Sequence, residues 1–374
     1  MHAETALPAE LSEAERGIVV ASLGAGRPGT YDVAFTLAFR SGVDIPRLRD
    51  AVRRFSTANP WTRRRYTREG RSLRAVLHDV PVVVEDGADV MRTPLDVLGG
   101  PLVRFGLTSQ LGTGTVHLDV RIHHSLADGI AVALVLRALL DAYRTEQAPV
   151  LPFGLAEPVV ALELVDRRLE ETFTAAVVAK RTDTGRPTRV TFDCPDRTPA
   201  DFTGGVVLAL SRWTGVEGVC VASPVLGRRL EQMGHVGSFV RTVLLEFPRT
   251  TGTAADLGNT AVTALRQEAF SGRSTLRPVR FPVVMVDRKT TSMLDRELDP
   301  ELDVVLLDDP FRQTRKYPLH VSSYGVRGTQ TITIEGDGFP PKTVEVLADL
   351  IRSELTLATT TPRTTAPETT GGPL

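Results

Sequence analysis

The stretch from Thr115 to Tyr143 constrains the fold most, because two apolar patterns of different period stand on either side of a short polar segment. Thr115–Ile122 alternates between apolar and other side chains, which predicts a half-buried strand. Ile130–Tyr143 is almost continuously apolar and predicts a buried helix. A strand that leads through a short loop into a buried helix is a typical unit of an α/β protein.

The same kinds of pattern recur along the rest of the chain. Tyr31–Phe39 alternates and predicts a strand, and Ile45–Phe55 has a helical apolar face with Pro46 suited to the first turn. Further strands are predicted at Val219–Ala222, Arg241–Phe247, Val304–Leu307, His320–Ser323 and Thr329–Glu335. Further helices are predicted at Val159–Arg181, at Val206–Trp213 after the pair Gly204-Gly205, and at Thr343–Leu355. Strands and helices alternate in both halves, so we predict an α/β fold with two lobes.

The length of 374 residues suggests two or three domains. Gln147–Pro158 holds three prolines and a glycine, the composition of a connection between lobes. We therefore predict an N-terminal lobe over residues 1–150 and a C-terminal lobe over 151–357. Residues 358–374 are rich in threonine and proline with little apolar surface to bury, and we expect a disordered tail.

Charge and cysteine content exclude several classes of function. The 44 Lys and Arg residues balance the 45 Asp and Glu residues, so we expect binding neither to nucleic acid nor to a membrane surface. Cys194 and Cys220 are too few for a disulfide framework or a zinc site, and His235 and His320 lack neighbours at metal-ligand spacing. The start of the chain lacks the features of a signal peptide, and no segment is apolar enough to cross a membrane, so we expect a cytoplasmic protein without a metal.

The loop between the predicted strand and helix carries the clearest chemical pattern, with His123, His124, Asp128 and Gly129. An imidazole has an ordinary pKa near 6.5, which suits the removal of a proton from an amine or hydroxyl at neutral pH. Adjacent histidines on an extended chain point to opposite faces, so one can be structural and the other reactive. The alternative is a buried histidine pair with Asp128 only capping the helix.

The loop sequence resembles the HHxxxDG signature shared by chloramphenicol acetyltransferases, condensation domains of nonribosomal peptide synthesis, and related acyltransferases. Leu11–Arg16 resembles the S-x-A-Q-x-R motif, with Glu15 in place of Gln and the arginine one position early. Asn59–Tyr66 resembles H-E/P-x-L-R-T-R-F. Three more segments resemble family elements: Pro94–Arg104, Pro224–Arg228 (P-V-x-G-R) and Val236–Thr242 (V-G-x-F-V-N-T).

The resemblance implies two chloramphenicol-acetyltransferase-like lobes with a tunnel between them. It assigns His124 as the catalytic histidine, His123 as a structural one, and Asp128 as the partner of Arg228, while Gly129 leaves room beside the reacting centre. Residues expected along the substrate tunnel are Arg241, Ser323 as an oxyanion donor, and Tyr324. Arg241 replaces an asparagine of the family pattern, which implies either a carboxylate-bearing substrate or a local salt bridge.

The function implied is acyl transfer from a carrier-protein or coenzyme-A thioester to an amine or hydroxyl in specialised metabolism, such as antibiotic biosynthesis. No cofactor is expected beyond the donor's own pantetheine; the expected partners are an acyl or peptidyl carrier protein and a small-molecule acceptor. Two alternatives stay open: a catalytically silent module that recruits a carrier protein or enzyme, and the same site redirected to cyclisation, elimination or hydrolysis. A basic run could attract the phosphates of the donor or form a solvated strand face: Arg63, Arg64, Arg65, Arg68, Arg71 and Arg74.

Overall fold

The computed structural model describes residues 10–79, 82–87, 89–110, 112, 114–156, 166–182, 187–271, 282–287, 297–299, 301–307, 317–326 and 329–357. Two six-stranded sheets, each packed against helices, and one two-stranded hairpin form the α/β architecture that the sequence predicts. Within the described ranges no helix combines the length and the apolar character needed to cross a membrane.

The first lobe is built on the first sheet. Its helices are α1 (Glu13–Leu23), α2 (Ile45–Ala58), α3 (Asp89–Arg92) and α4 (Gly129–Thr145). Its strands are β1 (Asp32–Phe39), β2 (Arg64–Glu69), β3 (Ser72–Leu77), β4 (Val84–Asp86), β5 (Val103–Ser109) and β6 (Val116–His123), of which β2 and β3 form the separate hairpin. Two strands from much later in the chain, β11 (Glu297–Asp299) and β12 (Val304–Leu306), complete the sheet in the order β11-β12-β1-β6-β5-β4.

The two faces of the first sheet differ in chemistry. One face packs its apolar residues against α2 and α4, as the alternation in β1 and β6 predicts. The other face is buried as well but polar: Asp32 pairs with Arg121 at 2.8 Å, and Thr36 donates to Asp119 at 2.6 Å. His123 is paired with Asp32 across the two strands and so lies on this polar face.

The second lobe is built on the second sheet, in the order β7-β14-β13-β10-β8-β9. Its strands are β7 (Thr188–Pro195), β8 (Val219–Leu226), β9 (Val240–Phe247), β10 (Val283–Asp287), β13 (Leu319–Val326) and β14 (Thr329–Gly336). Its helices are α5 (Arg167–Val178), α6 (Pro199–Thr214), α7 (Ala254–Ser271) and α8 (Pro341–Leu357). Residues of α6, α7 and α8 share one apolar core with one face of the sheet.

Several predicted boundaries differ from the observed ones. The helix predicted from Val206 begins at Pro199, so Gly204 and Gly205 lie inside α6 rather than opening it. A Cβ at Gly204 would stand 1.7 Å from the Ala254 carbonyl oxygen, so the glycine permits the close approach of α6 and α7. The helix predicted over Val159–Arg181 is α5, Arg167–Val178, and residues 159–165 lie outside the described ranges, as does the predicted tail at 358–374.

The strands β11 and β12 also cut across the predicted division of the chain at residues 150 and 151. They belong by sequence to the predicted C-terminal lobe, yet β12 pairs with β1 of the first sheet. Arg144 near the end of α4 forms an ion pair with Asp299 of β11, which holds the crossing segment against the first lobe. The two lobes are therefore joined through the backbone, because a segment of the predicted C-terminal lobe adds two strands to the first sheet, as well as by side-chain contacts.

Candidate active site

The histidine loop connects β6 to α4 at the edge of the first lobe. Strand β6 ends at His123, and the chain turns at once, with the Leu126 N–H donating to the His123 carbonyl at 2.9 Å. The His124 N–H donates to the Tyr31 carbonyl at 2.8 Å. The backbone on both sides of His124 is thus fixed by hydrogen bonds. Gly129 is the buried first residue of α4.

The imidazole of His124 is half-buried and has a defined orientation. Its Nδ1 lies 2.8 Å from the carbonyl oxygen of Ala127. A carbonyl oxygen can only accept, so Nδ1 carries the proton of the neutral ring and Nε2 is the unprotonated nitrogen. An imidazole held in this tautomer is suited to take a proton through Nε2.

Asp128 caps α4 and joins the loop to the second lobe. Its carboxylate accepts from the Ala131 N–H at 2.9 Å, which is the helix cap expected as the alternative role of this residue. The same carboxylate forms a two-point ion pair with Arg228, with Nη2 at 2.7 Å and Nε at 3.0 Å. It also accepts from the Phe239 N–H at 3.0 Å. The carboxylate is fully occupied in this way, so Asp128 positions the loop and does not orient the His124 ring.

Arg228 is buried with all five of its N–H groups satisfied. Two N–H groups reach Asp128, and the remaining three donate to the carbonyl oxygens of Gln232, His235 and Gly237. The guanidinium also lies 4.2 Å from the ring centroid of Phe239. Arg228 thus fastens the segment after β8 to the histidine loop, and the structure brings this predicted pair together.

His123 is fully buried on the polar face of the first sheet. Its Nδ1 lies 2.7 Å from the Ser125 hydroxyl, and its Nε2 lies 3.2 Å from the Ser22 hydroxyl. Burial lowers the pKa of His123 to about 3, and the neighbouring His124 adds to the lowering. The ring is therefore neutral in the folded protein at neutral pH.

We expect His123→Gln to change how stability depends on pH. Unfolded histidine has a pKa near 6.5, so between about pH 6 and 3 the unfolded wild-type chain binds a proton that the folded protein does not. The neutral, buried His123 ring therefore contributes its full share of the free energy of unfolding above pH 6.5. Below that pH the free energy of unfolding falls by about 1.4 kcal/mol for each unit of pH. Urea unfolding of both proteins at pH 7, 6 and 5 measures the effect. The free energy of unfolding of the wild type, relative to that of His123→Gln, should fall as the pH is lowered. An equal fall in both proteins would refute the burial of a neutral His123.

Ser323, predicted as an oxyanion donor, lies on the helix-covered side of the second sheet. It is buried in β13 and paired with Ile332 of β14 and Asp287 of β10. Paired residues point to the same face, and Ile332 and Val321 belong to the core shared with the helices. The register therefore argues against Ser323 as an oxyanion donor. Tyr324 is half-buried and points to the opposite face, so its tunnel position stays a prediction.

Arg241 lies in β9, paired with Val225 of β8. A Cβ at position 227 would stand 3.0 Å from its Nε, so the arginine packs across Gly227. Gly227 directly precedes Arg228 in the chain, so the Arg241 side chain contacts the backbone next to the residue that anchors the histidine loop. A substrate contact and a local salt bridge stay the two predictions for Arg241.

Four of the six arginines in the basic run around β2 and β3 form contacts within the first lobe. Arg64 is buried against Glu15, Arg65 donates to the Gly99 carbonyl, and Arg68 donates to the Gly70 carbonyl. Arg74 pairs with Glu69 at 3.2 Å. These contacts favour a structural role over phosphate binding. Across the described residues, no group of three or more His, Cys, Asp or Glu side chains could hold a metal ion.

Comparison with known proteins agrees with this architecture. The starter condensation domain of rhizomide synthetase superposes with a TM-score of 0.69 and 16% identity, over 95% of this chain and 97% of that domain. The first condensation domain of the CDA synthetase gives 0.67 and 19%, over 95% and 97%. The epimerization domain from the third module of tyrocidine synthetase B gives 0.65 and 16%, over 94% and 97%. The chain therefore has the condensation-domain fold, which is the fold that its motifs imply.

The stretches of sequence that are similar to known proteins are short. Nonribosomal peptide synthetase 1 from Ajellomyces capsulatus is 43% identical over 51 residues, or 14% of this chain. Malformin synthetase from Aspergillus brasiliensis is 29% identical over 140 residues, or 35% of this chain. In each case the match spans 3% of the much larger relative. No protein-family profile matches the chain.

Proposed function

We propose that the protein transfers an acyl group from a thioester to an amine or hydroxyl. The observation that carries the proposal is the Nδ1 hydrogen bond of His124 to the Ala127 carbonyl, which leaves Nε2 as the basic nitrogen. The second support is the rigid frame around it, because Asp128 and Arg228 tie the loop to the second lobe. A module that only recruits a partner would not need a tautomer fixed in this way.

The chemistry requires only one proton shuttle. The acceptor nitrogen or oxygen forms a bond to the thioester carbonyl carbon while its proton goes to Nε2 of His124. The carbon–sulfur bond then breaks, and the departing thiolate takes the proton back from the imidazolium. His124 returns to its neutral state at the end of the reaction, and no covalent acyl-enzyme is formed.

The donor and the setting extend the same proposal. The thioester is carried by coenzyme A or by the phosphopantetheine of an acyl or peptidyl carrier protein, and the acceptor is a small molecule of specialised metabolism. The support is the fold shared with condensation domains of peptide synthetases. A mutant of the starter condensation domain of rhizomide synthetase has been crystallised in complex with C8-CoA and Leu-SNAC.

A second chemistry has one observation in its favour. An epimerization domain has the same fold at a TM-score of 0.65. The fold therefore also holds sites that rearrange a bound group rather than transfer it. Product analysis must distinguish these outcomes.

The test uses the whole chain with a panel of acyl-CoA and acyl-N-acetylcysteamine thioesters and a panel of amines and alcohols. The panel includes thioesters of chiral amino acids, and the release of thiol, the masses of all products and the configuration of the recovered acyl groups are followed together. We expect thiol release that depends on the acceptor, with the acyl group found on it. Thiol release with free acid would assign hydrolysis, an unchanged mass with inverted stereochemistry would assign epimerization, and no reaction with any pair would support a recruitment module.

A further inference from the structure

A line of buried polar side chains runs from α1 to the histidine loop and is not used in the mechanism above. The carboxylate of Glu15 lies 3.1 Å from the Tyr66 hydroxyl, and that hydroxyl lies 2.8 Å from the Ser125 hydroxyl. Ser125 in turn lies 2.7 Å from Nδ1 of His123. All four side chains are at most 1% exposed, so no water competes for these hydrogen bonds.

Glu15 is the charged end of the line, and its charge determines which group donates in each hydrogen bond. Glu15 pairs with buried Arg64 at 3.2 Å and also accepts from the Ser12 N–H at 2.9 Å. An ionised carboxylate is the strongest acceptor in the line and cannot donate. The Tyr66 proton therefore goes to Glu15, which is consistent with the raised pKa of Tyr66, caused by burial and next by the charge of Glu15.

The donor and acceptor roles of the other groups then follow one after another. Because the Tyr66 proton is committed to Glu15, the Tyr66 oxygen accepts from the Ser125 hydroxyl. The Ser125 oxygen, 2.7 Å away, accepts from Nδ1–H of His123, and this contact is much shorter than the 3.4 Å approach of the Ser125 N–H to the same nitrogen. Nε2 of His123 accepts from the Ser22 hydroxyl. In this arrangement Tyr66, Ser125 and His123 each donate one hydrogen bond and accept one, and the Glu15 carboxylate only accepts.

We propose that Tyr66 is a positioning residue for the transfer reaction, since it connects the Glu15 carboxylate to the histidine loop and so fixes the tautomer and ring orientation of His123. The proposal rests on the proposed function for its kinetic part only. Tyr66 occupies the position at which the motif resembled by Asn59–Tyr66 has phenylalanine, so the hydroxyl that completes the line is a feature of this chain.

The line acts on His124 through the turn. His123 bonds through its ring to Ser125 and through its carbonyl to the Leu126 N–H, so the ring and the backbone of the turn are held together. His124 lies between these two contacts. A change in the His123 ring would shift the backbone that presents His124, and small displacements of a catalytic group lower the rate more than they lower substrate binding.

The test compares Tyr66→Phe with Tyr143→Phe. Tyr143 is also buried in the first lobe, and its hydroxyl accepts one hydrogen bond, from the Asp44 N–H at 3.0 Å. It lies fourteen residues into α4 from Gly129, about 21 Å from the loop. Nitrogen-15 spectra of histidine-labelled protein, recorded without substrate, and steady-state kinetics are the two readouts.

In the wild type we expect His123 to show a single tautomer with the proton on Nδ1. Tyr66→Phe should convert this signal to a mixture or to the Nε2–H form and lower kcat about tenfold with KM within twofold. Tyr143→Phe should change neither. Ser125→Ala, which cuts the same line, should reproduce the change in the His123 spectrum if Tyr66→Phe does not fold.

An unchanged His123 spectrum in Tyr66→Phe, or an equal loss of kcat in Tyr143→Phe, would overturn the proposal. The spectra need no turnover. If the wild type transfers no acyl group while the His123 signals behave as expected, the proposed function fails and the line of hydrogen bonds stands.

Discussion

Asp128→Ala should lower the free energy of unfolding by about 3 to 5 kcal/mol, because it leaves the Arg228 charge buried without its counter-charge. The side chains of both residues are 0% exposed, so solvent cannot replace the lost carboxylate. The same substitution removes the cap of α4, which alone is worth about 1 kcal/mol. Urea unfolding at neutral pH measures the loss.

The matched control is Asp349→Ala, whose carboxylate pairs with Arg352 at 2.6 Å but is 72% exposed. Exposed pairs of this kind contribute at most about 1 kcal/mol. Combining Asp128→Ala with Arg228→Met should recover part of the stability, because the stranded charge is then gone. A loss below 1 kcal/mol for Asp128→Ala would show that the pair does not hold the loop.

His124→Ala should lower kcat by about two to four orders of magnitude, the usual contribution of a positioned acid or base. The side chain is half-buried, and its Nδ1 contact lies within the loop, so the variant should remain folded. His117 provides the control: it is half-buried on the same strand, β6, six residues before the end of that strand. His117→Ala should keep wild-type kcat.

Steady-state rates with the best donor and acceptor pair, together with the circular dichroism of each variant, make the comparison. A folded His124→Ala protein that loses only a few-fold in kcat would contradict the role of His124 as the base. An equal loss in His117→Ala would show that the effect is one of strand packing.

Much of the fold could be predicted from local patterns, because individual strands and helices are specified by residues that are neighbours in the sequence. The alternation in β6 and the apolar run of α4 placed the histidine loop between a strand and a helix, where the structure has it. The pairing of Asp128 with Arg228 came from the resemblance of two motifs 100 residues apart, which periodicity alone could not have joined.

Other features depend on contacts that no local pattern reveals. Strands β11 and β12 join the first sheet from late in the chain, and nothing in their three-residue sequences identifies β1 as the partner of β12. The face occupied by Ser323 follows from its register with Ile332. The meeting of Glu15 with Tyr66 needed the packing of α1 against the hairpin, although the acidic residue in place of glutamine was a visible signal.

The measurement that tests the account most directly is the position of the proton on the His124 ring. The chain has seven histidines, so comparison of nitrogen-15 spectra of the wild type and His124→Gln assigns the His124 signals. At neutral pH we expect Nδ1 to carry the proton, held by the Ala127 carbonyl, and Nε2 to give the signal of an unprotonated nitrogen. A proton found on Nε2 instead would contradict the account, because the ring could not then accept a proton from the acceptor through that atom.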